Sequence, residues 1–181
     1  MTPAEILAAR ARDLARAPAA ADAGGTWLEV VTFSTARERY ALETSAVREV
    51  ARPGDVAPVP GAPDFVTGMI NLRGEILPAV DLRRFLGIPS TAAPAGARAV
   101  IAGTDRAEFG ILADDVGEVA RIRKEDLRDP PASPGGVRRE LVHGLTADAV
   151  VVLNARALLD DARLVAGGDA GVETSGGGHN G

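Results

Sequence analysis

The residues best suited to chemistry lie in Phe65 to Leu86, FVTGMINLRGEILPAVDLRRFL. There an apolar run reaches Asn71-Leu72-Arg73-Gly74, reverses, and leaves through Ile76 to Val80 into Asp81-Leu82. Polar groups and a glycine between two strand-like runs present Asn71 and Arg73 at a surface. A guanidinium offers five donors in a planar fork and stays charged, so it grips a carboxylate and does not abstract protons. The chemistry implied is recognition. The same four residues also suit a plain turn with a solvated arginine, and the local pattern leaves both readings open.

Other candidates for chemistry are weaker. Histidine is the side-chain type whose ordinary pKa lies near neutrality, and the chain has two, His143 and His179. His143 sits in a strand-like run, Leu141 to Leu145, where an outward or hydrogen-bonded imidazole is the ordinary outcome, and no motif supplies triad partners. His179 lies in a Gly-rich tail. Asp114-Asp115 invites a metal or acid-base reading, but neighbours on a strand point to opposite faces, so a hairpin-end role is expected. Asp160-Asp161 reads as a solvated helix terminus. Neither a Gly-x-Ser-x-Gly elbow nor a P-loop occurs, and the absence of cysteine removes thiolate sites and disulfides. No catalytic residue, metal ligand set or cofactor is expected.

The elements that must position Arg73 are short and of β type. Trp27 to Phe33 and Arg39 to Glu43 flank a polar loop as a hairpin, and Ala46 to Ala51 is a third strand. Pro53, Pro58, Pro60 and Pro63 mark connections, because proline cannot donate to a ladder. Met69 to Arg73 and Glu75 to Val80 form the central pair, in which Pro78 argues for an edge position or a bulge. Asp81 caps a helical turn that Gly87 stops. Ala97 to Ala102, Phe109 to Asp114 and Glu118 to Ile122 continue as strands, turning at Thr104-Asp105-Arg106 and at Asp115-Val116-Gly117. After a Pro-rich loop within Lys124 to Arg139, Leu141 to Leu145 and Ala149 to Leu153 close the domain, and Asn154 caps a last helix through Leu159.

Thr2-Pro3-Ala4-Glu5 fits a capping box opening a helix through Arg16, with Asp22 to Thr26 as linker. The expected organisation is therefore a helical extension and linker over 1–25, a domain over 26–163, and a Gly-rich tail over 164–181. Many short strands with turn signals imply an all-β sandwich or barrel, and pattern alone does not choose between them.

Composition narrows the partners. With 46% hydrophobic but 3% aromatic residues, the core is built from Val, Leu, Ile and Ala, which disfavours stacking platforms for single-stranded nucleic acid. A net charge of -5 leaves no electrostatic footprint for a phosphate backbone. No apolar segment approaches the length needed to span a bilayer, and Met1 to Arg16 is too charged for a signal peptide, so a cytoplasmic protein is expected.

Gly68-Met69-Ile70-Asn71-Leu72-Arg73-Gly74, followed by Ile76-Leu77-Pro78 and Val80-Asp81-Leu82-Arg83, resembles the central signature of the CheW family of chemotaxis adaptor proteins. Val47-Arg48-Glu49-Val50, an aspartate-valine hairpin within Ile111 to Val119, and closing strands from Gly144 to Leu153 are similar to further family segments in the same order, so the likeness covers Trp27 to Leu159. The resemblance implies an all-β fold of two five-stranded SH3-like β-barrels packed side by side over a hydrophobic seam. It implies a non-enzymatic scaffold between the cytoplasmic tip of a chemoreceptor (a methyl-accepting chemotaxis protein) and the regulatory domain of a CheA-type histidine kinase. Such a scaffold is recruited to receptor arrays at the inner membrane without inserting into it. It also implies receptor-binding roles for Val47, Glu49, Gly68, Asn71, Arg73 and Gly74, with Glu49 and Arg73 close together in a groove between the barrels. Because the N-terminal helix and the tail fall outside the matched region, a pathway for surface motility or biofilm formation stays open beside swimming. A small-barrel nucleic-acid binder and a hydrolase on a β scaffold are the rivals from other classes.

Overall fold

The computed structural model describes residues 25–88, 97–130 and 138–166; the expected N-terminal helix and the chain beyond Ala166 lie outside them. Ten strands follow in chain order: β1 Trp27–Thr35, β2 Glu38–Glu43, β3 Val47–Ala51, β4 Val66–Leu72, β5 Glu75–Val80, β6 Arg98–Ala102, β7 Phe109–Ala113, β8 Asp115–Arg123, β9 Val142–Leu145 and β10 Val150–Leu153. They form two five-stranded sheets, ordered β8-β1-β2-β10-β9 and β3-β6-β7-β5-β4. This is the expected fold of two SH3-like barrels.

The two halves of the chain repeat one plan. Strands β1 to β5 and β6 to β10 each run hairpin, single strand, hairpin, and each set closes on a short helix, Leu82–Phe85 or Ala155–Leu159. Each sheet takes one hairpin from one half and its other three strands from the other half. Neither half can leave without opening both sheets, so the two barrels behave as one body.

Alternation along the strands builds three apolar clusters. On β6, Ala99 and Ile101 point into the second barrel with Ile70, Leu77 and Leu112, while Val100 and Ala102 point into the seam. On β2, Ala41 joins Val30 and Val152 inside the first barrel, while Tyr40 and Leu42 face the seam. Strands covered on both faces read as unbroken apolar runs, and Phe109–Ala113 is buried throughout. The seam also holds Phe65 and Phe85, edge to face at 5.1 Å. Each large side chain buried there contributes about 1.5–3 kcal/mol, which makes the seam a main source of the body's rigidity.

Both helices carry the expected caps. Asp81 Oδ1 accepts the N–H groups of Arg83 and Arg84 at 3.0 and 3.3 Å. Gly87, at φ 78, ends that helix, with Ile88 N–H on the Arg83 carbonyl at 2.8 Å and Gly87 N–H on that of Arg84 at 3.0 Å. Asn154 Oδ1 accepts Ala157 N–H at 3.2 Å.

Several expectations are corrected. Pro78 is not on an edge strand, because β5 lies between β7 and β4, and the irregularity of the β4–β5 register falls at Val66/Gly68 instead. Its partner Met69 turns its own N–H and carbonyl to Ala57, at 2.8 and 2.9 Å, so Pro78's nitrogen faces β7, whose pairing begins only at Ala79. The missing donor leaves no gap in a ladder. Asp115-Val116-Gly117 is not a turn, and the stretch from Ile111 to Val119 is not a hairpin: the chain bends at Asp114 and passes straight from β7 of the second sheet into β8 of the first. Asp114 Oδ2 accepts Ala36 N–H at 2.6 Å, pinning the β1–β2 turn. Asp161 is not solvated, since its side chain is 6% exposed and is gripped by Arg138 at 2.9 Å and by Arg163 at 3.1 Å. It opens a further helix, Ala162–Ala166, that carries Leu164 into the seam, so folded chain extends past the expected start of the tail.

Candidate docking site

The β4–β5 connection is a two-residue turn. Leu72 pairs with Glu75, leaving Arg73 and Gly74 at the tip with φ 53 and 95. Positive φ at both central residues is the conformation of one of the two common two-residue hairpin turns, and glycine adopts it freely but arginine at a cost. Asn71 supports that conformation: its Oδ1 accepts Gly74 N–H at 2.8 Å. Asn71 thus shapes the tip, and Gly74 permits it.

From this tip the Arg73 fork meets Glu49 on β3 through two parallel bonds, Nη1 to Oε1 at 2.8 Å and Nη2 to Oε2 at 2.7 Å. Paired bonds of this kind fix direction as well as distance. The hydrogen bond to Glu49, then its charge, raises the Arg73 pKa above the ordinary value. The Arg73 side chain is 76% exposed and that of Glu49 28%, so water screens the attraction and the pair adds little to folding stability. What it supplies is geometry.

Strands β3 and β4 are the outer strands of the second sheet. In a flat sheet four strand spacings would separate them by about 19 Å. The ion pair therefore marks how far the sheet has curled, clipping the β4–β5 tip to the opposite edge. Around the clip lies an open hollow lined by Arg48, Glu49, Leu72, Arg73, Glu75 and Ala107. The sequence reading is corrected here too: Glu49 and Arg73 meet, but their hollow belongs to the second barrel, because every lining residue lies on β3, β4, β5, the β4–β5 tip or the β6–β7 loop. Exposed Val50 and Ile76 extend the same strands, β3 and β5.

The other candidate residues are not side chains displayed to solvent. Gly68 is buried, and a Cβ there would stand 2.4 Å from the Ala57 carbonyl oxygen and 2.8 Å from Val56 Cγ1. It lets the segment after β3 cross β4 and pair with Met69. The second half does the same: a Cβ at Gly144 would lie 2.7 Å from the Arg128 carbonyl oxygen, beside the Arg128 to Leu145 bridge. Val47 is half-buried against the seam cluster, so packing accounts for its type.

His143 Nε2 lies 3.5 Å from Glu43 Oε1, inside the fold's bracing. Tyr40 belongs to a similar brace. Its hydroxyl donates to Glu38 Oε2 at 2.5 Å, and the same oxygen accepts Arg83 Nε at 3.0 Å. Burial, then the bond to Glu38, pushes the Tyr40 phenol up. The brace ties β2 of the first barrel to the helix that follows β5 of the second.

Sequence reasoning passed over Arg48, Leu72, Glu75 and Ala107 as parts of the hollow. Leu72 and Glu75 flank the recognised tip and were within reach; Arg48 and Ala107 depend on long-range placement.

A family model for the CheW-like domain matches residues 29–163. The chemotaxis protein CheW of Treponema pallidum (strain Nichols) is 29% identical over 143 residues, covering 75% of this chain and 84% of that protein. Protein FrzA of Myxococcus xanthus is 31% identical over 139 residues, covering 75% and 87% respectively. The crystal structure of the scaffolding protein TtCheW from Thermoanaerobacter tengcongensis is similar with a TM-score of 0.58 at 29% identity, covering 71% of this chain and 90% of that one.

Proposed function

The chain belongs to the CheW family of chemotaxis scaffolds, and from that membership we propose that it couples the cytoplasmic tip of a chemoreceptor to the regulatory domain of a CheA-type histidine kinase. The observation that carries the receptor side of this reading is the Glu49–Arg73 clip: a two-point ion pair, too exposed to matter for stability, held in a fixed direction at an open hollow. Val47, Glu49, Gly68, Asn71, Arg73 and Gly74 act together there. Glu49 and Arg73 present the charge, Asn71 and Gly74 shape the tip, and Gly68 and Val47 seat the strands that carry them.

The chain's contribution is coupling rather than chemistry. Two surfaces of one body engage two partners, and a signal passes only if the chain binds the kinase's active and inactive states with different affinity. Exchange of hairpins between the barrels suits this role, because force on one barrel reaches the other through shared sheets instead of a linker. In the described residues no helix is long and apolar enough to cross a membrane. We place the working protein in the cytoplasm, drawn to receptor arrays by its partners.

Reconstitution tests the proposal. A purified chemoreceptor signalling fragment, a CheA-type kinase and this chain are combined, and kinase autophosphorylation is followed. Receptor control of the kinase is expected only when the chain is present; equal kinase rates with and without it refute the reading.

A further inference from the structure

Arg48 differs from the other cation of the hollow. Arg73 is neutralised by Glu49, whereas Arg48 donates Nη1 to the neutral Thr104 carbonyl at 3.0 Å and has no carboxylate within ion-pair distance among the described residues. Its position is also unusual for its sequence. Neighbours on a strand point to opposite faces, yet Arg48 and Glu49 line the same hollow. The cause is a bulge. Val47 pairs with Ala102 and Glu49 with Ile101, so Arg48 is an extra residue without a counterpart on β6. Bulges of this kind re-aim a side chain.

The bond to Thr104 gives Arg48 a second consequence. The loop it grips, residues 103–108, is tightly wound: Glu108 N–H reaches the Ala102 carbonyl at 2.8 Å, Thr104 N–H reaches Glu108 Oε1 at 3.2 Å, and a Cβ on Gly103 would fall 1.8 Å from the Arg106 carbonyl oxygen. That loop brings Ala107 to the hollow as a wall. Arg48 thus holds the wall with one donor and keeps the rest of its fork for a ligand.

We propose that Arg48 is a specificity-determining residue of the docking site, placed by the bulge to receive a carboxylate presented by the cytoplasmic tip of the bound chemoreceptor. This rests on the receptor-docking reading given above. An anionic side chain fits because Glu49 is already committed to Arg73, and no carboxylate of the described residues, the hollow's other acid Glu75 included, lies within ion-pair distance of Arg48. Exposed charges at the edge of an interface act chiefly on association rate and on its salt dependence.

Binding kinetics of a purified chemoreceptor tip fragment test the assignment, with Arg48→Gln, Arg48→Lys and Arg73→Ala as variants. Arg48 is exposed, and thermal melting checks that each variant is folded. Arg48→Gln is expected to slow association about 3- to 10-fold at about 0.05 M salt. The deficit should shrink by about 0.5 M salt, where charges are screened within a few ångströms. Arg48→Lys is expected to recover the association rate but not the full residence time, since an ammonium cannot hold a carboxylate at two points. Parental rates for Arg48→Gln at both salt concentrations overturn the proposal. So does a loss of binding that is independent of salt and accompanied by faster amide exchange at residues 103–108, which would assign Arg48 to loop bracing alone. Arg73→Ala separates the two levels: if it too binds normally, the docking reading itself has failed, whereas weak binding by Arg73→Ala with normal binding by Arg48→Gln removes only this inference.

Discussion

Replacing Gly68 by alanine places a methyl group where the structure has a carbonyl. The new carbon would sit 2.4 Å from the Ala57 oxygen, against an ordinary contact of 3.4 Å or more, so the crossing segment must retreat by about 1 Å. Two hydrogen bonds between Ala57 and Met69, at 2.9 and 2.8 Å, would stretch beyond bonding distance. Each such bond contributes about 0.5–1.5 kcal/mol net, and forced overpacking costs about 1–3 kcal/mol. The two costs overlap, because retreat relieves the clash by breaking the bonds, so the expected loss is about 2–4 kcal/mol. For a domain of this size that lowers the melting temperature by about 10 °C. Gly144→Ala, whose Cβ would meet the Arg128 oxygen at 2.7 Å, is the matched twin in the other barrel and is expected to lose a similar amount. Calorimetry or denaturant unfolding reads both. A Gly68→Ala protein melting within about 2 °C of the parent would refute the close-approach account of this glycine.

Two further substitutions probe the frame around the site. Asp81→Ala removes a buried cap that accepts two backbone N–H groups, and unfolding in urea is expected to show a loss of about 1–2 kcal/mol, with Asp81→Asn keeping most of it; equal stability of all three proteins would contradict the cap. Burial raises the Asp161 pKa, but hydrogen bonds from Arg163 and the charges of Arg163 and Arg138 outweigh it, so the carboxyl sits below its ordinary 3.8. A pKa depressed by folding contributes stability that is present above the unfolded value and lost as pH falls through the folded one. The parent should therefore lose stability below about pH 4 more steeply than Asp161→Asn, while exceeding it at neutral pH by about 1–3 kcal/mol. Urea midpoints measured across pH decide this, and parallel pH profiles would show that Asp161 is not held by its arginines.

What the sequence made legible is local. The tip at Asn71 to Gly74, the caps at Asp81 and Asn154, and the stop at Gly87 each depend on residues within a few positions of one another, and all lie where their types require. The features missed depend on distant partners. Asp115-Val116-Gly117 has the composition of a turn, but Gly117 is needed for another reason: a Cβ there would stand 2.5 Å from Thr32 Oγ1 on β1. Pro78 misleads because the rule against interior proline applies where a donor is needed, and its nitrogen faces β7 just before their pairing begins at Ala79. Asp161 looks like the end of a solvated helix until Arg138 arrives from 23 residues away. The bulge that turns Arg48 into the hollow has no signature in Val47-Arg48-Glu49-Val50, since it arises from pairing with β6. The meeting of Glu49 with Arg73 is of the same class: complementary charge was visible, and the contact followed only from resemblance to a family.

The central claim is that the Glu49–Arg73 clip serves docking and not folding. Its most direct test compares Arg73→Ala with Arg84→Ala, an equal loss of charge at an arginine that bonds the Asp64 carbonyl and Asp81 away from the hollow. With a purified chemoreceptor tip fragment, Arg73→Ala should retain a melting temperature close to the parent's, as expected for an exposed pair, yet bind at least about tenfold more weakly. Arg84→Ala should bind within about twofold of the parent, as expected of a residue outside the contact. Equal receptor affinity in the two variants, or a loss in Arg73→Ala explained by unfolding, would contradict the account.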